Sequence, residues 1–210
     1  MKTPGHIEKL ISGGENQTLD FKFEISNAQK IAKTLVAFAN TDGGTLLIGV
    51  KDNGVIAGVR TDEEVYMIES ASKIFSRPKI NFEVKPWNIR GKQVLEITIP
   101  QSDIKPHFAK DADNKWKAYI RVADQNFLAN NVQVRAWKEK EIRRVKIKYS
   151  RKEEFLLDYL KDFESITFEK FIELAEIKPK EAENILVDFI ILDIIEISFT
   201  EKEVLYSFKE

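Results

Sequence analysis

Apolar and charged side chains alternate along residues 19–24, LDFKFE, near the start of the chain. A period of two predicts a strand that buries Leu19, Phe21 and Phe23 and exposes an acid–base–acid row on its other face. A helix is predicted next, because apolar residues recur at helical spacing over 31–39 and Asn27 can cap its first turn.

Two glycines separate this helix from a second predicted strand. Gly43-Gly44 stops the helix, and residues 45–50 form the short apolar run of a buried strand. Lys51-Asp52 follows, and then Asn53-Gly54, a signal for a two-residue hairpin. The segment 14–58 therefore predicts a strand, a helix and a strand with polar residues at the turns.

The pattern up to residue 149 continues to mix both periods. Helical spacing covers 63–75, paired strands are predicted at 82–84 and 94–99 around a turn at 88–92, and a further strand is predicted at 116–122. The predicted fold class is α+β.

A different pattern begins near residue 150. Three amphipathic helices and then two strands are predicted in about sixty residues, which resembles a winged helix. Their expected positions are 155–160, 167–174 and 179–190 for the helices, and 194–199 and 204–208 for the strands. In a winged helix that reads DNA, the third helix enters the major groove. Here that helix is acidic, which favours packing or dimerisation over groove binding.

Charge supports a domain boundary at the same point. Residues 1–149 carry 25 Lys and Arg against 18 Asp and Glu, whereas residues 150–210 carry 8 against 16. The predicted domains are therefore a basic one, 1–149, and an acidic one, 150–210, although the whole chain has a net charge of -1.

Several motifs in the first domain resemble the Schlafen-type AlbA-like domain family. They are a Glu-x4-acid-Phe-Lys element at 15–22, Ala-Phe-Ala-Asn-Thr with Gly-Gly at 37–44, Gly-Val-x-Asp at 49–52, Lys105-Pro106 and the strand at 119–122. The resemblance implies a mixed sheet with helices. Bacterial members of the family are usually described as DNA-binding domains of transcriptional regulators, so it also implies nucleic-acid binding.

Three carboxylates, Glu15, Asp20 and Asp52, are the candidate catalytic and metal-binding residues. Carboxylate oxygens hold hard ions such as Mg²⁺ or Mn²⁺, and such a metal can activate water and neutralise charge on a transferred phosphate. Acids at the matching motif positions form such a site in the nuclease branch of the Schlafen family. Each residue also has an ordinary structural interpretation: Glu15 in a loop, Asp20 on an exposed strand face, and Asp52 in a turn. Asp20 stands where the family more often has the longer glutamate.

Basic residues are the candidate contacts to nucleic acid. The segment 135–148 contains seven Lys and Arg against two Glu, which is enough to neutralise several phosphates. An exposed helix face would show the same charge run. The predicted contacts are Lys22, Lys51, Arg121, Arg135, Arg143, Arg144 and Lys146.

Other kinds of site find little support in the sequence. Without cysteine there is no disulfide or thiolate site, and no P-loop motif is present. His6 and His107 are too few and too separated for a zinc site, and no nucleophile elbow supports a Ser-His-Asp hydrolase. No apolar run is long enough to span a bilayer, so no membrane partner is expected.

The leading interpretation is a cytoplasmic nucleic-acid-binding protein, a transcriptional regulator that binds DNA rather than RNA and forms a homodimer through its C-terminal domain. Binding would require no cofactor. The alternative is a nuclease that uses Mg²⁺ or Mn²⁺ at Glu15, Asp20 and Asp52. A third interpretation is a protein-interaction module whose acidic tail neutralises its own basic segment.

Overall fold

The computed structural model describes residues 5–59, 63–140, 142 and 150–209. Contacts divide the chain into two compact units that meet in sequence between Ala129 and Asn130. The sequence-based boundary at 149/150 lies later, because charge grouped the basic segment with the first domain. Val132, just before that segment, belongs instead to the hydrophobic core of the second unit.

The first unit is an α+β domain, which confirms the predicted fold class. Its elements are α1 (His6–Ser12), β1 (Leu19–Lys22), α2 (Ala28–Asn40), β2 (Gly44–Ile48), α3 (Glu63–Lys73), β3 (Ser76–Arg77), β4 (Glu83–Ile89), β5 (Lys92–Ile99), β6 (Phe108–Lys110), β7 (Trp116–Lys117), β8 (Tyr119–Val122) and β9 (Gln125–Leu128). The main sheet has the order β1-β2-β5-β4, with β1 parallel to β2 and the other pairs antiparallel.

Helix α2 supplies the centre of the core. Its cap is the predicted one, since the Asn27 side chain accepts a hydrogen bond from Lys30 N. The helix buries ten of its thirteen residues and packs on the sheet face that carries Leu46, Ile48 and Ile97. Helix α1 contributes Ile7 to a smaller cluster with Phe21 and Leu47.

Gly43 ends this helical segment at a position that only glycine suits. Its φ is +73°, and an added Cβ would lie 2.7 Å from Gln101 N. The predicted role of the glycine pair as a helix stop thus has a steric cause.

The second unit contains α4 (Asn131–Lys140), α5 (Arg151–Phe163), β10 (Ser165–Ile166), α6 (Phe168–Ala175), α7 (Pro179–Ile191), β11 (Ile195–Phe199) and β12 (Val204–Phe208). Its three strands form an antiparallel sheet in the order β10-β12-β11. Leu160, Phe171, Leu186 and Tyr206 lie in one core. Three helices and the final hairpin follow the predicted order, and assignment to the winged-helix fold stays a prediction.

Candidate functional site

The loop before β1 returns along the outer edge of that strand. Glu15 Oε1 accepts a 2.7 Å hydrogen bond from Phe21 N. Asn16 and Leu19 exchange backbone hydrogen bonds of 2.9 and 3.3 Å. The motif at residues 15–22 therefore folds back on itself and holds Glu15 beside the strand that carries Asp20.

Asp20 is buried, with 4% of its surface exposed. In the sheet it pairs with Leu46, which pairs with Ile97, so its side chain shares the face that packs on α2. Arg121 Nη2 lies 3.3 Å from Asp20 Oδ1, and Lys22 Nζ lies 2.9 Å from Oδ2. The expectation of an exposed Asp20 was wrong, because this face of the edge strand is covered.

Arg121 forms the centre of the buried network. Its side chain is 1% exposed. The guanidinium also donates to Asn16 O at 3.3 Å, Leu19 O at 3.2 Å and Asn126 Oδ1 at 3.2 Å. The predicted contact between Arg121 and nucleic acid is therefore incompatible with this structure, since its charge faces inward. Asn126 was missed by the sequence analysis, where it was one polar residue among many.

Lys22 contacts Asp20 in an unusual way. Its ammonium donates a 2.7 Å hydrogen bond to Phe21 O. The same ammonium forms an ion pair with Asp20 Oδ2, but that oxygen has no hydrogen-bond partner among the described residues. The side chain of Lys22 is 37% exposed. Lys22 is thus a partly exposed residue whose ammonium contacts the buried carboxylate of Asp20.

Asp20 lies close enough to Glu15 to affect the protonation of the Glu15 carboxyl. Partial burial raises the pKa of the Glu15 carboxyl, and the neighbouring Asp20 carboxyl raises it further, although the hydrogen bond from Phe21 N opposes the shift. The cause is general, because burial and a nearby negative charge both disfavour the ionised form of an acid.

The three predicted metal ligands do not meet as one group. Within the described part of the chain, no three Asp, Glu, His or Cys side chains are placed to hold a metal ion. Asp52 is exposed in the loop after β2, where Gly54 N donates to Lys51 O at 2.7 Å. The expected metal centre is therefore not formed by these side chains, since Asp20 is already bound by two cations.

One predicted basic contact does reach the surface beside an aromatic ring. Lys51 is exposed, and its Nζ lies 5.6 Å from the ring centroid of Phe23. Phe23 was predicted to be buried, yet it is 43% exposed, because β1 ends at Lys22. Lys51 and Phe23 form an exposed pair, called here the Lys51–Phe23 pair.

The basic segment meets acids of its own unit. Arg135 lies 2.7 Å from Glu183 and 3.1 Å from Glu139, and Lys140 lies 3.3 Å from Asp193. Burial alone would lower the pKa of Arg135, but the hydrogen bonds and charges of Glu183 and Glu139 together outweigh it, so the pKa is raised. Arg143, Arg144 and Lys146 fall outside the described residues.

The charge difference between the two parts of the chain is smaller when the chain is divided at the structural boundary. Residues 1–129 carry 18 Lys and Arg against 16 Asp and Glu, and residues 130–210 carry 15 against 18. The opposition between a basic and an acidic part is therefore largely internal to the second unit.

Comparison with known proteins identifies the first unit. A family model described as Schlafen, AlbA_2 matches residues 15–130, more than half of the 210-residue chain. The chain belongs to this family. The match covers Glu15, Asp20, Lys22, the Lys51–Phe23 pair and Arg121, and it ends where the second unit begins.

Individual relatives are more distant. An uncharacterized ATP-binding protein of Ureaplasma parvum serovar 3 is 27% identical over 124 residues, which are 49% of this chain and 35% of that protein. This chain thus spans about a third of the length of the curated relative that it matches.

Two solved structures are also similar in part. A crystal structure from Corynebacterium diphtheriae has 19% identity and a TM-score of 0.47, covering 63% of this chain and 31% of that one. The N-terminal domain of a RecG-related protein from Nitrosomonas europaea has 22% identity and a TM-score of 0.41, covering 62% of this chain and 97% of that one.

Among the helices in the described ranges, none combines the length and the apolar character needed to cross a bilayer.

Proposed function

We propose that this protein binds nucleic acid, DNA in preference to RNA, and acts as a transcriptional regulator in the cytoplasm. The observation that carries the proposal is the Lys51–Phe23 pair, which presents a cation and a ring together at the surface. Lys22, one residue before Phe23, adds a second partly exposed ammonium group. Membership of the Schlafen, AlbA_2 family supports the same function.

The chemistry of the pair fits a nucleic-acid strand. A lysine neutralises a phosphate and releases counterions, so its contribution weakens as salt rises. An exposed aromatic ring stacks on an unpaired base. Because Arg121 is buried and Arg135 is neutralised by acids, Lys51 is the best placed of the predicted contacts that the structure describes.

The test measures retardation of labelled single- and double-stranded DNA and RNA over a series of salt concentrations. Lys51→Glu should weaken binding by about tenfold and lower the salt slope by about one. Lys73→Glu is the matched control, because Lys73 is an exposed lysine of α3 that pairs with Glu69. Equal binding by the wild type and Lys51→Glu would refute the assignment of Lys51.

The basic segment is tested in the same assay. Arg143→Ala and Arg144→Ala should each lower the salt slope by about one if these side chains contact phosphate. An unchanged slope would remove both residues from the interface.

We also propose that the second unit supports a homodimer. Helix α7 begins with an acidic first turn at Glu181, and Glu183 pairs with Arg135 of the same unit, which favours protein contacts over a DNA groove. Sedimentation of the full chain over a range of concentrations tests this. A monomer at all concentrations would contradict the dimer.

The nuclease stays an alternative because Glu15 and Asp20 do lie side by side. The same nucleic acids, incubated with Mn²⁺ or with EDTA, separate the two functions. Retardation without cleavage supports the regulator. Cleavage that requires Mn²⁺ and is lost in Glu15→Gln would support the nuclease, and the absence of both activities would favour the interaction module.

A further inference from the structure

A cavity of about 380 Å³ lies in the first unit, apart from the Lys51–Phe23 pair and the Asp20 network. Its apolar walls come from Pro78, Ile80, Pro100 and Ile104. Ser102 and His107 also line it. Its size suits a small organic ligand, since ligand pockets begin at about 300 Å³.

His107 is held in a fixed position at this cavity. It is 4% exposed. Asn40 clamps its backbone from both sides, because Asn40 Oδ1 accepts from His107 N at 2.8 Å and Asn40 Nδ2 donates to His107 O at 2.9 Å. A side chain that must act as a base at one atom needs this kind of support.

The two ring nitrogens of His107 have different partners. Nδ1 lies 3.0 Å from Pro78 O, and Nε2 lies 2.8 Å from Ser102 Oγ. A carbonyl oxygen can only accept, so Nδ1 carries the proton of the neutral ring. Nε2 is then an acceptor, and the Ser102 hydroxyl donates to it.

Ser102 has a second acceptor within reach. Its Oγ lies 3.1 Å from Ile104 O, and it accepts from Ile104 N at 3.2 Å. If the hydroxyl turned to Ile104 O, the lone pairs of Oγ and the neutral Nε2 would face each other at 2.8 Å. The hydroxyl can turn in this way once Nε2 holds a proton, so the serine accommodates both protonation states of His107.

The surroundings keep His107 neutral. Burial lowers the pKa of the imidazole, and the positive charge of Lys105 lowers it further, against the opposing effect of Pro78 O. Lys105 is itself half-buried, with its pKa lowered by burial and raised by Asp42 and Asp103. Lys79 and Asp103 are the charged side chains that line the cavity with His107.

We propose that Ser102 and His107 are a nucleophile and its general base, and that this cavity hydrolyses small esters with an apolar acyl group. The arrangement has the three parts of an activated serine: a nucleophile, a base within hydrogen-bond reach, and a third group, Pro78 O, that orients the base. The apolar walls select the acyl group.

The reaction balances with water as the only other reactant. Ser102 Oγ attacks the acyl carbon and passes its proton to His107 Nε2. The bond to the alcohol breaks, and the alcohol leaves with that proton. Water then attacks the acyl-serine and gives a proton to Nε2, and Ser102 recovers it as the free acid leaves.

Two readouts on the full chain test the proposal. The first is hydrolysis of p-nitrophenyl butyrate, which Ser102→Ala should reduce by at least about 100-fold. The second is labelling by a fluorophosphonate probe, with the modified residue located by peptide mass spectrometry. Ser12→Ala is the control, because Ser12 is an exposed serine that donates to Lys9 O. Its rate and its labelling should equal those of the wild type.

Each result decides the proposal. Labelling at Ser102 that weakens as the pH falls and His107 becomes protonated would support it, together with the loss of hydrolysis in Ser102→Ala. No hydrolysis above the buffer rate, labelling at another residue, or an unchanged rate in Ser102→Ala would overturn it. Ser102→Ala should retard nucleic acid as the wild type does, so failure here is distinguishable from failure of the proposed function.

Discussion

Arg121 in the first unit and Arg135 in the second were assigned the same role from sequence, and the structure uses them differently. The Arg121 side chain is 1% exposed and binds Asp20 and three other oxygen acceptors inside the protein. The Arg135 side chain is 24% exposed and spans two acids at the surface of its unit. Neither guanidinium is presented as an unpaired charge.

The difference lies in what surrounds each charge. Removing one partner of a buried pair leaves the other charge without water or a counterion, which is costly. At a partly exposed pair, water replaces the missing partner, so the loss is small. Loss of Arg121 should therefore strongly destabilise the first unit, whereas loss of Arg135 should change the stability of the second unit only slightly.

The largest expected effect comes from Arg121→Ala. Because Asp20 would remain buried with only Lys22 beside it, we expect a loss of about 3 to 5 kcal/mol in the free energy of unfolding. Urea unfolding followed by circular dichroism measures this. A loss of unfolding free energy below about 1 kcal/mol would show that the residues around Asp20 compensate for the missing guanidinium. Arg121 would then not differ from Arg135 in its effect on stability.

A matched double variant sharpens this result. Asp20→Asn combined with Arg121→Met removes both charges, so it should be more stable than Arg121→Ala alone. If it is equally unstable, the loss arises from packing of Arg121 over Phe38, where the guanidinium lies 5.2 Å from the ring centroid.

A smaller effect is expected from Arg135→Ala. Loss of the ion pairs with Glu139 and Glu183 should lower the free energy of unfolding by about 1 kcal/mol. The loss should shrink in 1 M salt, because partly exposed pairs are screened. Glu183→Gln, which removes the charge of one partner of Arg135, is the control. A loss of stability in Arg135→Ala as large as the loss expected for Arg121→Ala would contradict the comparison.

The smallest effect is expected from Glu15→Gln. The pKa of Glu15 is raised on folding, so its ionised form costs stability above the unfolded-state pKa, and this cost disappears as the pH falls below that value. The amide keeps an acceptor for Phe21 N and removes the charge. We expect a small gain at pH 7 and none at about pH 3. A loss at pH 7 would show that the carboxylate is stabilising.

Much of the fold was predictable because it depends on local patterns. The cap at Asn27, the glycine stop at Gly43 and the hairpin of β4 and β5 follow from single residues and short periods. The structure confirmed the α+β class, and the family model that matches residues 15–130 confirmed membership of the family. Helix α4 was considered only as an alternative interpretation of the basic segment, because basic residues give a weak periodic signal.

The site was less predictable because it depends on contacts between distant residues. Asp20 was expected at the surface, since alternation shows that two faces differ but not which face is covered. Arg121 covers it from 101 positions later in the chain. In the sequence, His107 was considered only as a possible zinc ligand, and only the structure places it against Ser102 and Asn40.

The folded-back loop at residues 15–19 also bears on how this protein avoids self-association through its sheet. An unpaired edge strand can recruit a strand from another chain and seed aggregation. At β1, Glu15, Asn16 and Arg121 already occupy Phe21 N, Leu19 N and Leu19 O. The opposite edge strand, β4, carries Pro86, which lacks an N–H to offer. Both edges therefore resist β-augmentation, and a partner should recognise this sheet through side chains.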